Sequence, residues 1–272
     1  MRTIKQFLIL ALVALLAGNI ATAIYQGSSD RKVGPTISCD EVTLEISATA
    51  MESELLQGIT AHDPQDGDLT AQVMVASVSK LISNDTAKVT YLVFDSDDNM
   101  ASYVRRIRYY DYRKPTFSVD PRLPLVYPNT AEVSVLDRVT AQDVVDGDIS
   151  QQIRVSTLAA TEDPEVFDIT LQVTNTMGDT AWLKLPVQKL GADSGRPTVE
   201  LKEYLLYAEK ETSFDPLSYL STVRLANGEQ ADMEAVKIEG EVDTSQVGTY
   251  RVTYSYHDNG SIGKAILTVV VL

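Results

Sequence analysis

One ten-residue stretch occurs twice, 80 residues apart, and it restricts the fold more than any other feature. Ala61-His62-Asp63-Pro64-Gln65-Asp66-Gly67-Asp68-Leu69-Thr70 returns as Ala141-Gln142-Asp143-Val144-Val145-Asp146-Gly147-Asp148-Ile149-Ser150. Both copies read A-x-D-x-x-D-G-D, then an aliphatic, then a hydroxyl residue. Other landmarks keep the same period. Pro35-Thr36, Pro115-Thr116 and Pro197-Thr198 are spaced by 80 and 82 residues, and Gly67 and Gly147 each follow their proline by 32. The third repeat offers Asn227-Gly228-Glu229 at nearly the same offset, with Gly228 at 31. Strand-like runs from Val89, Ile169 and Val252 also fall in register, each followed by a polar turn containing Asn99, Asn175 or Asn259. Several landmarks sharing one period define tandem units. The expected domains are 35–114, 115–196 and 197–272, after a short linker at 26–34 rich in glycine, serine and charge.

Within each unit the apolar pattern has period two, the signature of half-buried strands. Tyr250, Val252, Tyr254 and Tyr256 share one face, with Arg251, Thr253 and Ser255 on the other, and His257-Asp258-Asn259-Gly260 supplies turn chemistry. Further strands are expected at Val89–Phe94, Ala101–Tyr109, Phe167–Val173, Ala181–Val187 and Ala265–Leu272. Short helical turns fit Thr49–Gln57 and Asp215–Ser221. Many short strands with regular turns in about 80 residues imply a β-sandwich. The run Tyr109 to Lys114 enters Pro115 with almost no linker, which favours a semi-rigid rod.

The N-terminus differs from the body. Arg2 and Lys5 precede an apolar run from Phe7 to Ala17, interrupted by Gly18 and Asn19 and resumed from Ile20 to Ile24. This is an export signal. Residues 1–25 act either as a signal peptide cleaved after Ala21-Thr22-Ala23 or as a signal anchor. At about 1.5 Å per residue, Phe7 to Ile24 gives roughly 27 Å of helix, enough for a bilayer core. The basic start would stay cytoplasmic and place the body outside. A single-pass protein with an extracellular C-terminal body is therefore expected, with secretion as the alternative. The net charge is −15, divided as +3 over 1–32 and −6 over each repeat. A uniformly acidic body argues against a nucleic-acid partner. The single cysteine, Cys39, excludes an intrachain disulfide; its place in an alternating strand reads as a small buried hydrophobe.

The A-x-D-x-x-D-G-D-[LI]-[ST] stretch, the Gly248 to Tyr254 segment reading G-T-Y-x-V-T-Y and the terminal V-x-V resemble the bacterial Ig-like repeats of Gram-positive surface proteins. These modules are related to the Ig-like domain of some insecticidal crystal proteins and to hyalin-type repeats. The resemblance covers 35 to 272. Repeats one and two lack G-T-Y, and repeat three has N-G-E for D-G-D. It implies an extracellular Ig-like sandwich; with the repeat and the N-terminal apolar run, the expected chain is all-β, three tandem Ig-like β-sandwich domains preceded by one N-terminal hydrophobic helix. It also implies a stalk, spacer or adhesion module without catalytic activity or cofactor.

Two readings of the aspartates stay open. Asp63, Asp66 and Asp68, with Asp143, Asp146 and Asp148, offer hard oxygen ligands to calcium. The same residues suit turn structure, because aspartate accepts loop amides and Gly67 and Gly147 supply positive φ. Degeneration in repeat three, where Val223 and Arg224 stand near the first aspartate position, shows that the fold manages without three carboxylates. Nothing assembles an enzyme. His62 and His257 belong to different repeats and sit in turn-like contexts, no G-x-S-x-G elbow exists, and Gly260 to Lys264 is a hairpin rather than a phosphate loop. Trp182 and the tyrosines 103, 109, 110 and 112 offer a sugar-stacking platform, although the strand position of Trp182 reads first as core or joint packing. The expected role is a non-enzymatic surface stalk or adhesion module with a protein or glycan partner; the alternative is a secreted carbohydrate-binding protein.

Overall fold

The computed structural model describes residues 33–191 and 195–272. The signal segment at 1–25, with its membrane span at 7–24, and most of the 26–34 linker lie outside the described residues. Among the described residues no helix is long and apolar enough to cross a membrane.

The first repeat forms β1 (Thr36–Cys39), β2 (Thr43–Ile46), β3 (Ile59–Asp63), β4 (Gly67–Asp68), β5 (Met74–Val78), β6 (Thr86–Phe94) and β7 (Met100–Tyr109). The second forms β8 (Thr116–Val119), β9 (Val126–Pro128), β10 (Val139–Asp143), β11 (Gly147–Asp148), β12 (Arg154–Ala160), β13 (Val166–Thr174) and β14 (Thr180–Leu190). The third forms β15 (Thr198–Leu201), β16 (Leu205–Ala208), β17 (Leu220–Arg224), β18 (Lys237–Glu239), β19 (Gly248–Asp258) and β20 (Ser261–Val271). A one-turn helix at Glu52–Leu55 and a 3-10 turn at Pro216–Tyr219 stand where short helical turns were expected.

Among the described residues these strands make six sheets in sandwich-like pairs, and the order repeats. The larger sheets read β2-β7-β6-β5, β9-β14-β13-β12 and β16-β20-β19-β18; the smaller read β1-β3-β4, β8-β10-β11 and β15-β17. The chain is thus all-β. Alternation explains why: on β6 the residues Ala87, Val89, Tyr91 and Val93 are fully buried, while Lys88 between them faces out. Burial of each of the two valines stabilises by about 1.5–3 kcal/mol. The Tyr91 hydroxyl reaches the Leu55 carbonyl at 2.6 Å, so the buried ring keeps its polar partner.

The described chain divides into two compact units. One comprises 33–46 and 50–108; the other comprises 47–49 and 109–272, and so contains both the second and third repeats. In the larger unit one apolar core runs through both repeats, joining Leu125, Tyr127 and Leu185 to Tyr204, Leu205 and Val269.

Three expectations need correction. Cys39 is only partly buried, because β1 is a short edge strand, and its thiol bonds the Glu41 carbonyl at 2.9 Å. His62 and His257 lie within β3 and β19, both exposed, rather than in turns. Trp182 is 59% exposed: its neighbour Leu183 takes the core side of β14, so alternation turns the indole outward.

Candidate functional site

The duplicated stretch builds the same loop twice. In the first repeat β3 ends at Asp63, which is fully buried, and its Oδ1 accepts the amides of Gln65 at 2.7 Å and Asp66 at 2.9 Å. Gly67 then takes φ +79°, a conformation that glycine reaches without strain, and returns the chain into β4. Asp66 points away from that turn. Its Oδ2 accepts the Ser96 amide at 2.6 Å and its Oδ1 the Ser96 hydroxyl at 2.8 Å, tying the β3–β4 turn to the β6–β7 turn. Asp68 accepts the Thr70 amide at 2.9 Å. The Thr70 hydroxyl and amide hold its carboxyl below the ordinary aspartate value.

The second repeat copies each bond. Asp143 Oδ1 accepts from Val145 at 2.9 Å and Asp146 at 3.0 Å, and Asp146 Oδ2 accepts the Thr176 amide at 2.6 Å while Oδ1 takes its hydroxyl. Asp148 accepts from Ser150, which lowers its carboxyl in the same way as Asp68. One difference lies behind the turn. Asp143 Oδ2 receives the Asn175 side-chain amide at 3.0 Å, and the same Nδ2 reaches the Tyr112 hydroxyl at 2.9 Å. Burial pushes the Tyr112 phenol well above its ordinary value, and the carboxylates of Asp179 and Asp143 add to that shift. In the first repeat Asp95 holds the place of Asn175, and Asp63 Oδ2 has no hydrogen-bond partner among the described residues.

The six aspartates therefore act locally, three per repeat, mostly on backbone amides and hydroxyls; the exceptions are Asp143 Oδ2, which takes the Asn175 side-chain amide, and the buried Asp63 Oδ2. Among the described residues no three acidic, histidine or cysteine side chains gather closely enough to hold a metal ion. The partners Ser96 and Thr176 were not singled out from sequence. A signal existed, because both are hydroxyl residues 30 positions after the aspartate they bind.

A second polar cluster joins the second and third repeats within the larger unit. Arg196 makes a forked pair with Glu165, at 2.8 and 3.1 Å, and also reaches the Ile262 carbonyl at 3.0 Å. Lys264 meets Asp163 at 2.6 Å. Asp168, 10% exposed, is held between Lys184 at 2.8 Å and Arg251. Burial alone would push the Asp163 and Asp168 carboxyls up. Lys264 for the first, and Lys184 with Arg251 for the second, outweigh it and leave both below the ordinary value. At another point the Tyr207 hydroxyl accepts the Phe117 amide at 2.9 Å.

The aromatic residues do not form one platform. Tyr109 is buried, Tyr110 is exposed, and Trp182 lines a separate groove of the larger unit. On β7, Arg105 is buried and donates to the carbonyls of Glu41 and Gln57, while Arg106 and Arg108 face solvent on the opposite side of the strand.

Residues 206–271 match a family model described as bacterial surface protein, Ig-like domain. Comparison with curated proteins returns no match. Among solved structures, a Clostridium perfringens ZmpB fragment containing the M60 catalytic domain with CBM51-1 and CBM51-2 is 15% identical, over 87% of this chain and 30% of that one, with a TM-score of 0.25. This chain thus spans less than a third of that fragment. Human CDH23 EC21-23 is 10% identical over 84% of this chain and 97% of that one, with a TM-score of 0.20.

Proposed function

We propose that the chain is a non-enzymatic bacterial surface protein built from three Ig-like domains at 35–114, 115–196 and 197–272, the last two forming a stiff spacer. The observation that carries this reading is the joint inside the larger unit. A freely swinging pair of domains would meet through a small, wet contact. Here one apolar core passes through the junction, Lys264–Asp163 and Arg251–Asp168 clamp it with partly buried ion pairs, and Arg196, held in a fork by Glu165, reaches across it to the Ile262 carbonyl. Forked guanidinium–carboxylate pairs fix orientation as well as distance. Bending this joint would expose apolar surface and separate four charges, so load is passed on rather than absorbed. The match of 206–271 to surface-protein Ig-like modules supports the same role. In this reading the apolar segment 7–24 exports the body and holds one end at the membrane.

The test is calorimetric. The second and third repeats are expected to unfold in one transition in the purified chain, and Glu165→Arg together with Lys264→Glu should split it into two. Separate transitions in the unmodified chain would end the spacer reading. Acid should loosen the same joint. Asp163 and Asp168 have depressed carboxyls, so their contribution is complete above the unfolded aspartate value of about 4 and is lost as pH falls through their lower folded values. Joint stability should therefore hold from neutrality down to about pH 4 and decline below it.

A further inference from the structure

Beside the joint runs a half-open groove of 940 Å³, at the upper end of the roughly 300–1,000 Å³ typical of small-ligand sites. Its walls are Phe117, Leu183, Tyr207, Val270 and Leu272, and Trp182 stands in it with most of its ring exposed. This is the single tryptophan of the chain. It projects from β14, a strand held on one side by nine register pairs with β13, so the ring sits on a rigid support. A rigid aromatic with two rotatable bonds offers contact area at low entropic cost.

Polar groups flank the indole in a defined order. Gln172 is its direct cross-strand neighbour and Arg154 is the next, giving an Arg154–Gln172–Trp182 row across β12, β13 and β14. Directly opposed side chains stand about 5 Å apart at Cβ, the scale of one pyranose ring. The rim is electrically balanced. Arg113 faces Glu209 at 4.0 Å and Lys114 faces Asp179 at 3.8 Å. It therefore presents donors and acceptors whose charges are paired, inside a body whose charge of −15 repels polyanions.

We propose that this groove binds a neutral oligosaccharide, one sugar ring stacking on Trp182 and its hydroxyls bonding Gln172 and the rim. An apolar ring face rimmed by hydroxyls matches an exposed indole beside an amide; the rim's own charges are paired, and Arg154, the charge of the row, lies two strands from the indole, roughly 10 Å away. The inference rests on the same joint as the spacer reading, since the groove's walls come from both repeats; a single calorimetric transition with no sugar binding would end this inference alone.

Because the chain has one tryptophan, its emission reports on this groove alone. The purified chain is titrated with cellohexaose, maltohexaose and chitohexaose, and with a hyaluronan hexasaccharide as the acidic counterpart. The expected result is a saturable blue shift with at least one neutral sugar, at a dissociation constant near or below about 1 mM. Gln172→Ala should weaken it about tenfold. Trp182→Leu, read by titration calorimetry, should abolish binding without moving the unfolding midpoint, since the ring is largely outside the core. No saturation by any neutral sugar up to about 10 mM overturns the proposal. So does binding that persists in Trp182→Leu, and so does a response to the acidic sugar alone.

Discussion

The first two repeats close one end of their sheet pair with a carboxylate strap between two turns, and the third closes the corresponding end with turns that bond only within themselves. In the first, Asp66 spans from the β3–β4 turn to Ser96; in the second, Asp146 spans from the β10–β11 turn to Thr176. In the third both halves of the strap are missing together. The β17 turn places Leu225, Gly228 and Glu229 where the first repeat has Asp63, Asp66 and Gly67, as the pairing of Leu225 with Glu229 and of Ala231 with Val223 shows. The β19–β20 turn has shrunk to Asn259-Gly260, both at positive φ, and contains no counterpart of Ser96 or Thr176. A strap with one end deleted would leave a carboxylate and a turn amide unsatisfied. Loss of both ends costs little because the shorter turn satisfies its own backbone. The fold thus requires that these turns be closed, and it accepts two chemistries for closing them.

The largest effect that tests this contrast comes from Asp143. Its two oxygens serve the Val145 and Asp146 amides and the Asn175 side chain from a nearly buried position. Asp143→Ala should lower unfolding stability by about 3 kcal/mol, since several buried donors lose their acceptor. Leu225→Ala, at the corresponding place in the third repeat, should lose only the contact of a partly exposed side chain. Equal losses in denaturant titrations would show that the aspartate is replaceable packing rather than a turn organiser.

Much of this was legible in the sequence and some was not, for identifiable reasons. Period-two alternation located β6, β7, β13, β14, β19 and β20 because long paired strands bury one face throughout. The 80-residue period likewise anticipated a sheet order that repeats. The third turn misled by one position: Asn227-Gly228-Glu229 looks like a degraded D-G-D, yet Gly228 replaces Asp66 rather than Gly67. A one-residue change in turn type cannot be seen from spacing alone. The strand position of Trp182 suggests core or joint packing, but a strand has two faces; its parity with buried Leu183 points outward and is the better guide. The ion pairs at the joint link residues 31 and 101 positions apart, and no local pattern announces such partners.

A middle-sized effect isolates the strap itself. Asp66→Ala and Asp146→Ala each remove two hydrogen bonds to one hydroxyl residue at a largely solvent-facing site, so each should cost about 1–2 kcal/mol. Asn227→Ala removes the turn bond from the Glu229 amide at 3.0 Å and the exposed bond to the Glu229 carboxylate at 2.9 Å, both within one turn, and should cost about 0.5–1 kcal/mol. Ser96→Ala combined with Asp66→Ala should cost less than the sum of the two changes, because they cut the same strap. Strict additivity in that cycle would mean that the two turns are not coupled.

The smallest expected effect concerns calcium, and it separates the two readings of the six aspartates. If the carboxylates are committed to Gln65, Asp66, Ser96 and Thr70, and to their counterparts in the second repeat, a cation must first displace charge-assisted bonds to the backbone. Binding that preferentially stabilises the folded state raises the unfolding midpoint with ligand concentration, so a site with millimolar affinity would reveal itself at a tenfold excess by roughly 1.4 kcal/mol. The strap reading expects no shift between chelator and about 10 mM calcium, a concentration that would occupy even the weak sites of extracellular modules. A shift that disappears in Asp66→Ala and Asp146→Ala would turn the straps into metal sites. It would also sharpen the original contrast, because the third repeat, lacking both aspartates, would then be the one sandwich whose stability is independent of the ion.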